Sequence, residues 1–193
     1  MNKKLDEMTN EELWQLFPII LCEYNPLWTQ IYQSEASILR NIYGNVIERI
    51  NHIGSTSVEG LVAKPTIDIL LEIGQDTDLK WFEQVAKENG YLVSVHFDNH
   101  APHFLLKKGY TEKGFVGQAF HVHVRYFGDY NELYFRDYLR EHEEARDAYV
   151  TLKKELMMKY EHDRDKYTSE KGELILYYTD LARKNYPNRY QKK

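Results

Sequence analysis

The stretch HIGSTSVEGLVAKPTID, residues 52–68, decides the fold. The chain before Gly54 is rich in β-formers and predicts a strand, and the small hydroxyl residues after the glycine predict a short helical turn. The free backbone N–H groups at the start of such a turn favour an anion. The run 66–73 is almost continuously apolar, which is typical of a strand covered on both faces. Asp68 interrupts that run. The sequence therefore predicts an anion-binding turn at residues 54–57, which we call the corner, close to the carboxylate of Asp68.

This corner has a chemical interpretation and a structural one. A phosphate held at Ser55 and a metal held by Asp68 would lie close together. Phosphoryl and nucleotidyl transfer need that arrangement, because their catalysis is mostly positioning and charge neutralisation. In the structural interpretation, residues 54–57 cap a helix and Asp68 is a buried, hydrogen-bonded strand residue. Short glycine and serine motifs are common, so the residue types alone leave both interpretations open.

Hydrophobic periodicity around this stretch predicts a mixed sheet of about five strands with helices packed on it. The other strands are expected at 46–53, 91–97, 103–107 and 119–127, and a short edge strand at 19–22. Gly109, Gly114 and Gly117 are expected to form a long turn before the last strand. Helices are predicted after the capping residues Thr9 and Asn25, and at 79–88.

The C-terminal third, from about residue 129, has a helical pattern throughout. Asp129 is expected to cap the first of its helices and Thr168 the last. The chain of 193 residues has no repeat and no low-complexity or linker segment, and it is long enough for one buried core. We therefore expect one α/β domain, of the α+β type, over residues 1–193.

Composition limits the partners. A formal charge of −5 gives no overall positive field that would attract nucleic acid, so nucleic-acid binding is not expected. Cys22 is the single cysteine, which excludes an internal disulfide and a cysteine-based metal site. No apolar run approaches the ~20 residues that span a bilayer. The start of the chain is followed by Asp6 and Glu7 rather than by an apolar signal sequence, so we expect a cytoplasmic protein.

A second group of polar residues lies on the predicted strand 119–127. His121, His123 and Arg125 alternate with apolar residues, so one face presents two imidazoles and a guanidinium. If this strand neighbours that of Asp68, then Asp68, His121 and His123 could bind one divalent metal or bracket a phosphate. Alternatively, the histidines line a solvated sheet face, or they hydrogen-bond Asp68 without a metal.

The motif at 52–68 resembles the hallmark of the GrpB-like family. The similarity extends over nearly the whole chain, through YNPLW at 24–28, FHVHV at 120–124 and FRDYLR at 135–140, to Tyr167 and Lys171. The resemblance implies a nucleotidyltransferase-type fold, whose signature is Gly-Ser followed by a strand with Asp-x-Asp/Glu. A related domain occurs fused to dephospho-CoA kinase in some bacteria. The family's name implies a fold and no particular reaction.

The chain departs from that signature at Leu70. An active nucleotidyltransferase usually places two carboxylates two residues apart on one strand, so that both face the same side. Leu70 occupies the second position and cannot bind Mg²⁺. Glu72 shares the face of Asp68, but it lies about 13 Å further along an extended strand. Because two-metal sites hold their ions about 3.5–4 Å apart, the departure puts the standard site in doubt.

Basic and aromatic residues complete the expected pocket. Lys64 could reach back to the anion corner or be solvated, and Arg136 could clamp a ligand or pair with Glu132 along its helix. The family resemblance makes Tyr167 and Lys171 a wall of the same cleft. The residues expected to bind phosphate or ligand are Gly54, Ser55, Thr56, Lys64, Lys107, Arg125, Arg136, Tyr167 and Lys171.

The sequence thus favours a pocket for an anionic small molecule or a nucleotide. Asp68, His121 and His123 are the expected catalytic and metal-binding residues, with Mg²⁺, Mn²⁺ or another divalent metal as cofactor. The first hypothesis is an enzyme that transfers a nucleotidyl or phosphoryl group to a small molecule or a protein. The second is a non-catalytic binding module with the same fold, and the third is a metal-assisted hydrolase.

Overall fold

The protein has one five-stranded mixed sheet. The computed structural model describes residues 3–95, residue 102 and residues 104–191. The strand order is β1-β2-β5-β4-β3, and β2 pairs antiparallel with β1 and parallel with β5. The strands are β1 (Ile47–Ile53), β2 (Thr66–Ile73), β3 (Leu92–Val95), β4 (Phe104–Thr111) and β5 (Gly114–Tyr126). This architecture confirms the expected α/β fold with a mixed sheet.

Helices flank the sheet and form the whole C-terminal region. In the described part of the chain they are α1 (Asn10–Leu16), α2 (Leu27–Tyr43), α3 (Leu79–Glu88), α4 (Asn131–Glu141), α5 (Glu143–Tyr160), α6 (Arg164–Ser169) and α7 (Gly172–Asn185). Two predicted caps are confirmed. Thr9 and Glu12 form a capping box before α1, and the side chain of Asn25 accepts a hydrogen bond from the N–H of Leu27.

One face of the sheet carries the main core. Ile69 of β2 and Val122 of β5 are fully buried there, together with Leu39 of α2 and Phe82 of α3. The opposite face has two parts. At one end, Leu70 packs with Ile53 and with Leu133 of α4, and this end is sealed. At the other end the face is open, and Asp68 lies there.

The predicted edge strand at 19–22 does not form. Cys22 makes a single antiparallel bridge to Ala63, so the segment lies beside the corner without joining the sheet. The short helical turn predicted after Gly54 is a 3₁₀ turn at Ser55–Ser57. No helix within the described ranges combines the length and the apolar character needed to cross a membrane.

Two predicted caps in the C-terminal region are wrong. The carboxylate of Asp129 accepts a hydrogen bond from Arg183 of α7, and α4 begins without a side-chain cap. Thr168 lies inside α6, and α7 follows Lys171. Asp129 makes a tertiary contact instead of a cap, and Thr168 belongs to an additional helix, α6. Local sequence patterns could reveal neither feature.

Strands β4 and β5 are longer than predicted. They run to Thr111 and from Gly114, so Gly109 and Gly117 belong to strands rather than to a long turn. Gly109 takes a φ of +86° where the register between β4 and β5 shifts. The predicted strand positions 96–97 and 103 lie outside the described residues.

Candidate metal centre and anion cavity

Asp68, His121 and His123 meet at the open end of the sheet face. In the parallel register of β2 and β5, Asp68 lies beside His121 and Leu70 lies beside His123. Oδ1 of Asp68 is 3.4 Å from Nδ1 of His121 and 3.7 Å from Nε2 of His123, and the three ligand atoms lie within 4.8 Å of one another. Two atoms that bind one ion at ~2.1 Å are about 3.0–3.4 Å apart. Small side-chain adjustments would therefore let all three share an ion.

Tyr110 orients the ring of His121. Its hydroxyl lies 2.7 Å from Nε2, and the two rings stack with their centroids 5.6 Å apart. Lys108, two residues earlier, points to the opposite face and pairs with Glu35. The register shift at Gly109 brings Tyr110 onto the face of His121. A hydrogen bond at one ring nitrogen fixes the tautomer and the orientation of a histidine, and so which nitrogen can bind a metal. In His121 the hydrogen-bonded nitrogen is Nε2, and Nδ1 faces Asp68.

Asp68 is the negative charge of this cluster, and its side chain is 28% exposed. Burial opposes its ionisation, but the neighbouring imidazoles of His121 and His123 outweigh that effect and lower the pKa of its carboxyl below the usual range. Burial lowers the pKa of the His121 imidazole, against the attraction of Asp68. One carboxylate and two imidazoles form a donor set that suits a divalent transition metal better than Mg²⁺.

Gly54 places the predicted corner directly against Asp68. Its φ is +67°, and a Cβ at this position would lie 2.5 Å from Oδ2 of Asp68. Only glycine permits both the conformation and the approach. Ser55 follows, and its Oγ accepts a hydrogen bond of 3.2 Å from Nζ of Lys153. The corner and the carboxylate therefore border one hollow.

That hollow is a cavity of about 890 Å³. Its walls come from α1, the open end of the sheet face, α5, α6 and the segment before α7. Six lysine and arginine residues line the cavity: Lys4, Lys64, Lys107, Lys153, Arg164 and Lys171. None of them forms a salt bridge with a carboxylate of the described residues.

Burial in the cavity disfavours the charged form of its lysines. Burial, assisted by neighbouring cations, lowers the pKa of Lys64 and of Lys153 to about 7. Burial also lowers the pKa of Lys171 to about 8. The ring of Tyr167 lies 5.4 Å from Nζ of Lys64 and 4.3 Å from Nζ of Lys171, which stabilises both ammonium groups in part. A bound polyanion would supply the missing countercharge.

Thr56 is one of the residues that the sequence predicts to bind phosphate or ligand. It borders the cavity but is only 1% exposed. Its hydroxyl donates to the carbonyl of Thr66 and lies 3.0 Å from Nε2 of His52. Burial lowers the pKa of His52 to about 4, so the ring is neutral and donates to Thr56. Both functions of the hydroxyl are used, and Thr56 supports the corner from inside.

Arg136 and Arg125, which the sequence also predicts to bind ligand, are not among the residues that line the cavity. Arg136 is 8% exposed and donates to Asp137 and to the carbonyl of His52. Arg125 pairs in register with Glu72 near the sealed end, and its guanidinium donates to the carbonyl of Val124. Strand alternation predicted the face of Arg125 but not its distance from the cluster.

Sequence reasoning missed Lys153, Arg164 and Tyr110. Lys153 lies on the apolar stripe of α5, four residues after Tyr149, and a lysine on such a stripe was an available signal. Arg164 belongs to a charged run that looks like a solvated surface. The position of Tyr110 depends on the register shift in β4, which no periodicity shows.

The fold and the cluster together define an α/β protein with an aspartate–histidine centre in a cationic cavity. The family model described as GrpB protein matches residues 18–180. The UPF0157 protein YqkA of Bacillus subtilis is 34% identical over 136 residues, which cover 69% of this chain and 38% of that protein. The chain belongs to the GrpB family, as the motif at 52–68 predicted.

A solved structure of a GrpB protein agrees with this assignment. The crystal structure of conserved protein GrpB from Enterococcus faecalis matches with a TM-score of 0.76 at 32% identity, covering 86% of this chain and 99% of that one. The structure of Cid1 in complex with its short product ApU matches with a TM-score of 0.47 at 11% identity, covering 75% of this chain and 42% of that one. At that identity and score the similarity to Cid1 concerns the fold alone.

Proposed function

We propose that the protein is a metal-dependent transferase that moves a nucleotidyl or phosphoryl group from a nucleotide to a small molecule or a protein. The observation that supports this most strongly is that the Asp68–His121–His123 cluster and six lysine and arginine residues line one cavity. A polyphosphate with a divalent metal would satisfy both halves of the cavity. The cavity of about 890 Å³ also has the volume of a small-molecule site.

The donor set fits one divalent transition ion such as Mn²⁺. Asp68, His121 and His123 would hold it, and Tyr110 would fix the second nitrogen of His121. Among the described residues a second ion has no comparable ligands, because Leu70 is buried and Glu72 is bound to Arg49. A metal held here supplies Lewis acidity to a phosphoryl oxygen.

The residues of the chain would position the donor. Lys153 and Ser55 lie together at the corner, and Lys64 and Lys171 flank the ring of Tyr167. These preorganised charges would bind the oxygens of a polyphosphate and stabilise the negative charge that develops during transfer. Phosphoryl transfer depends mainly on such positioning and neutralisation, so the arrangement serves catalysis as well as binding.

Thermal unfolding with ATP or tripolyphosphate, with and without Mn²⁺, tests the proposal. A ligand of the native state stabilises it once its concentration exceeds the Kd. We expect both polyanions to raise the melting temperature, Mn²⁺ to add to the effect, and Asp68→Asn to remove the contribution of Mn²⁺. Lys107→Met should weaken binding, whereas Lys87→Met, on α3 at the other face, should not. Absence of stabilisation by either polyanion, with or without metal, refutes the proposal.

A binding module without catalysis is the second candidate, and Leu70 favours it because the usual second carboxylate is replaced. In that case nucleotide would stabilise the protein equally with and without Mn²⁺, and no group would be transferred. The reaction products distinguish a transferase from a hydrolase. Label from ATP on an acceptor indicates a transferase, whereas metal-dependent release of phosphate to water alone indicates a hydrolase.

A further inference from the structure

We propose that Ser55 and Lys153 form a nucleophile–base pair, in which Ser55 carries the transferred group before it passes to the acceptor. The identity of the donor rests on the proposed function, whereas the pair itself rests on its own contacts. Nζ of Lys153 is 3.2 Å from Oγ of Ser55, and both residues line the cavity. A base within hydrogen-bond reach of a hydroxyl is the arrangement that activates serine.

The surroundings of Lys153 fix its amine at the corner. The side chain is 2% exposed, its Nζ donates to the carbonyl of Val62, and it lies 4.6 Å from the ring centroid of Tyr149. The charged groups that face it are Lys64, before β2, and Lys171, before α7. Burial, with these two cations, lowers the pKa of Lys153 to about 7. A neutral amine, which can accept a proton, is therefore populated near neutral pH.

Ser55 differs from the two hydroxyl residues that follow it. Thr56 is buried and bonded to His52 and Thr66. The hydroxyl of Ser57 donates to the carbonyl of Gly54, which closes the turn. Among these three described hydroxyls, that of Ser55 has the amine partner and a place in the cavity wall. Structural hydrogen bonding accounts for the other two and leaves Ser55 for chemistry.

The covalent transfer takes place within the cavity, first to Ser55 and then to the acceptor. Oγ of Ser55 attacks a phosphorus of the bound nucleotide, its proton passes to the neutral amine of Lys153, and the Oγ–P bond forms. The bond from that phosphorus to the bridging oxygen breaks, and the remaining phosphate or polyphosphate leaves with the proton that Lys153 received, so the amine is neutral again. The acceptor hydroxyl then attacks the same phosphorus and gives its proton to Lys153, the Oγ–P bond breaks, Lys153 returns that proton to Oγ of Ser55, and both residues regain their starting forms.

A fluorophosphonate probe tests the pair without any nucleotide. On attack by Ser55 the Oγ–P bond forms, the P–F bond breaks, fluoride leaves and the proton goes to Lys153. Peptide mass spectrometry should find the adduct on Ser55, and Ser57→Ala, the matched control, should keep it. Lys153→Arg retains the charge but cannot act as a base, so labelling should slow by at least about 100-fold. The wild-type rate should rise as the pH increases through about 7.

The outcomes separate this inference from the proposed function. Absence of the adduct in the wild type, a rate that does not change with pH, or equal labelling of a folded Lys153→Arg overturns the pair. None of these results affects the nucleotide binding measured by melting. With ATP and Mn²⁺, label from the α or the γ phosphorus on Ser55 identifies the group carried. Acceptor product formed by Ser55→Ala at the wild-type rate would overturn the covalent step.

Discussion

Asp68 and Glu72 are two carboxylates on the same face of β2, yet their surroundings are opposite. Glu72 is fully buried, and its oxygens accept hydrogen bonds from Arg49, at 2.5 and 2.7 Å, and from the N–H of Gly128. Asp68 is 28% exposed to a cavity and faces two imidazoles at 3.4 and 3.7 Å. Leu70, packed against Ile53 and Leu133, separates the two ends.

The difference shows that one chemical group, the carboxylate, can have two different surroundings on one strand. The charge and lone pairs of Glu72 are satisfied by fixed partners, which is what a buried carboxylate needs to persist in a fold. Asp68 faces two imidazole rings and a cavity instead of a guanidinium, so its carboxylate has oxygen lone pairs available for a cation. A carboxylate with unused binding capacity, rather than a carboxylate as such, indicates the site.

Glu72→Gln should give the largest change. Arg49 would lose its charge partner at the sealed end, so we expect the free energy of unfolding to fall by about 3–5 kcal/mol. Urea denaturation measures the change. Glu83→Gln, which breaks the exposed pair with Lys87, is the control and should cost less than about 1 kcal/mol. Equal, small losses for both variants would show that the sealed end does not depend on this charge pair.

Asp68→Asn should affect binding instead of folding. We expect the affinity for Mn²⁺ to fall by at least about 100-fold. Removal of a residue that only hydrogen-bonds a metal ligand lowers affinity about 10–100-fold, and removal of the ligand itself should lower it further. Titration calorimetry measures the affinity, and Asp76→Asn, an exposed position after β2, is the control. Unchanged affinity in Asp68→Asn would place the ion elsewhere.

Gly54→Ala tests the contact between the corner and Asp68. Gly54 and Gly60 both have positive φ, but a Cβ at Gly54 meets Oδ2 of Asp68 at 2.5 Å, while a Cβ at Gly60 has nothing within 4 Å. We expect Gly54→Ala to cost about 1–3 kcal/mol and to weaken Mn²⁺ binding. Gly60→Ala should cost about 1–2 kcal/mol and leave binding unchanged. Identical effects of the two variants would mean that the corner can move away from Asp68.

Tyr110→Phe should give the smallest change. It removes the hydrogen bond to Nε2 of His121 and keeps the ring stack, so we expect about a 10-fold loss of Mn²⁺ affinity with little change in stability. Tyr130→Phe, which loses a hydrogen bond to the carbonyl of Tyr126, should leave metal affinity unchanged. Equal affinities of Tyr110→Phe and the wild type would show that the stack alone orients His121.

The sequence predicted the centre of the site because that part depends on regular strands. Alternation in β5 places His121 and His123 on one face, and the single break in the apolar run of β2 marks Asp68. Parallel pairing of β2 and β5 then brings Asp68, His121 and His123 together. From the sequence alone, this meeting could be predicted only on the condition that the two strands are neighbours.

The outer part of the site was less predictable because it depends on tertiary packing. Lys153 reaches Ser55 across 98 positions of sequence. Arg136 lies on the predicted helix, but the burial of α4 against β1 turns it into a structural donor to the carbonyl of His52. A charged residue gives the same local pattern whether it faces a ligand, a carbonyl group or water.

Gly109 has a consequence for the proposed metal site that the three ligand residues do not reveal. A Cβ at this position would meet the carbonyl oxygen of Gln118 at 2.5 Å, so the backbone path that turns Tyr110 toward His121 is open to glycine alone. In a regular pleat Tyr110 would project beside Lys108, into the layer of α2, and the imidazole would lose its phenolic neighbour. An achiral residue thus determines on which face of the sheet the tyrosine lies, and Gly109→Ala would weaken the proposed metal site although Asp68, His121 and His123 are unchanged.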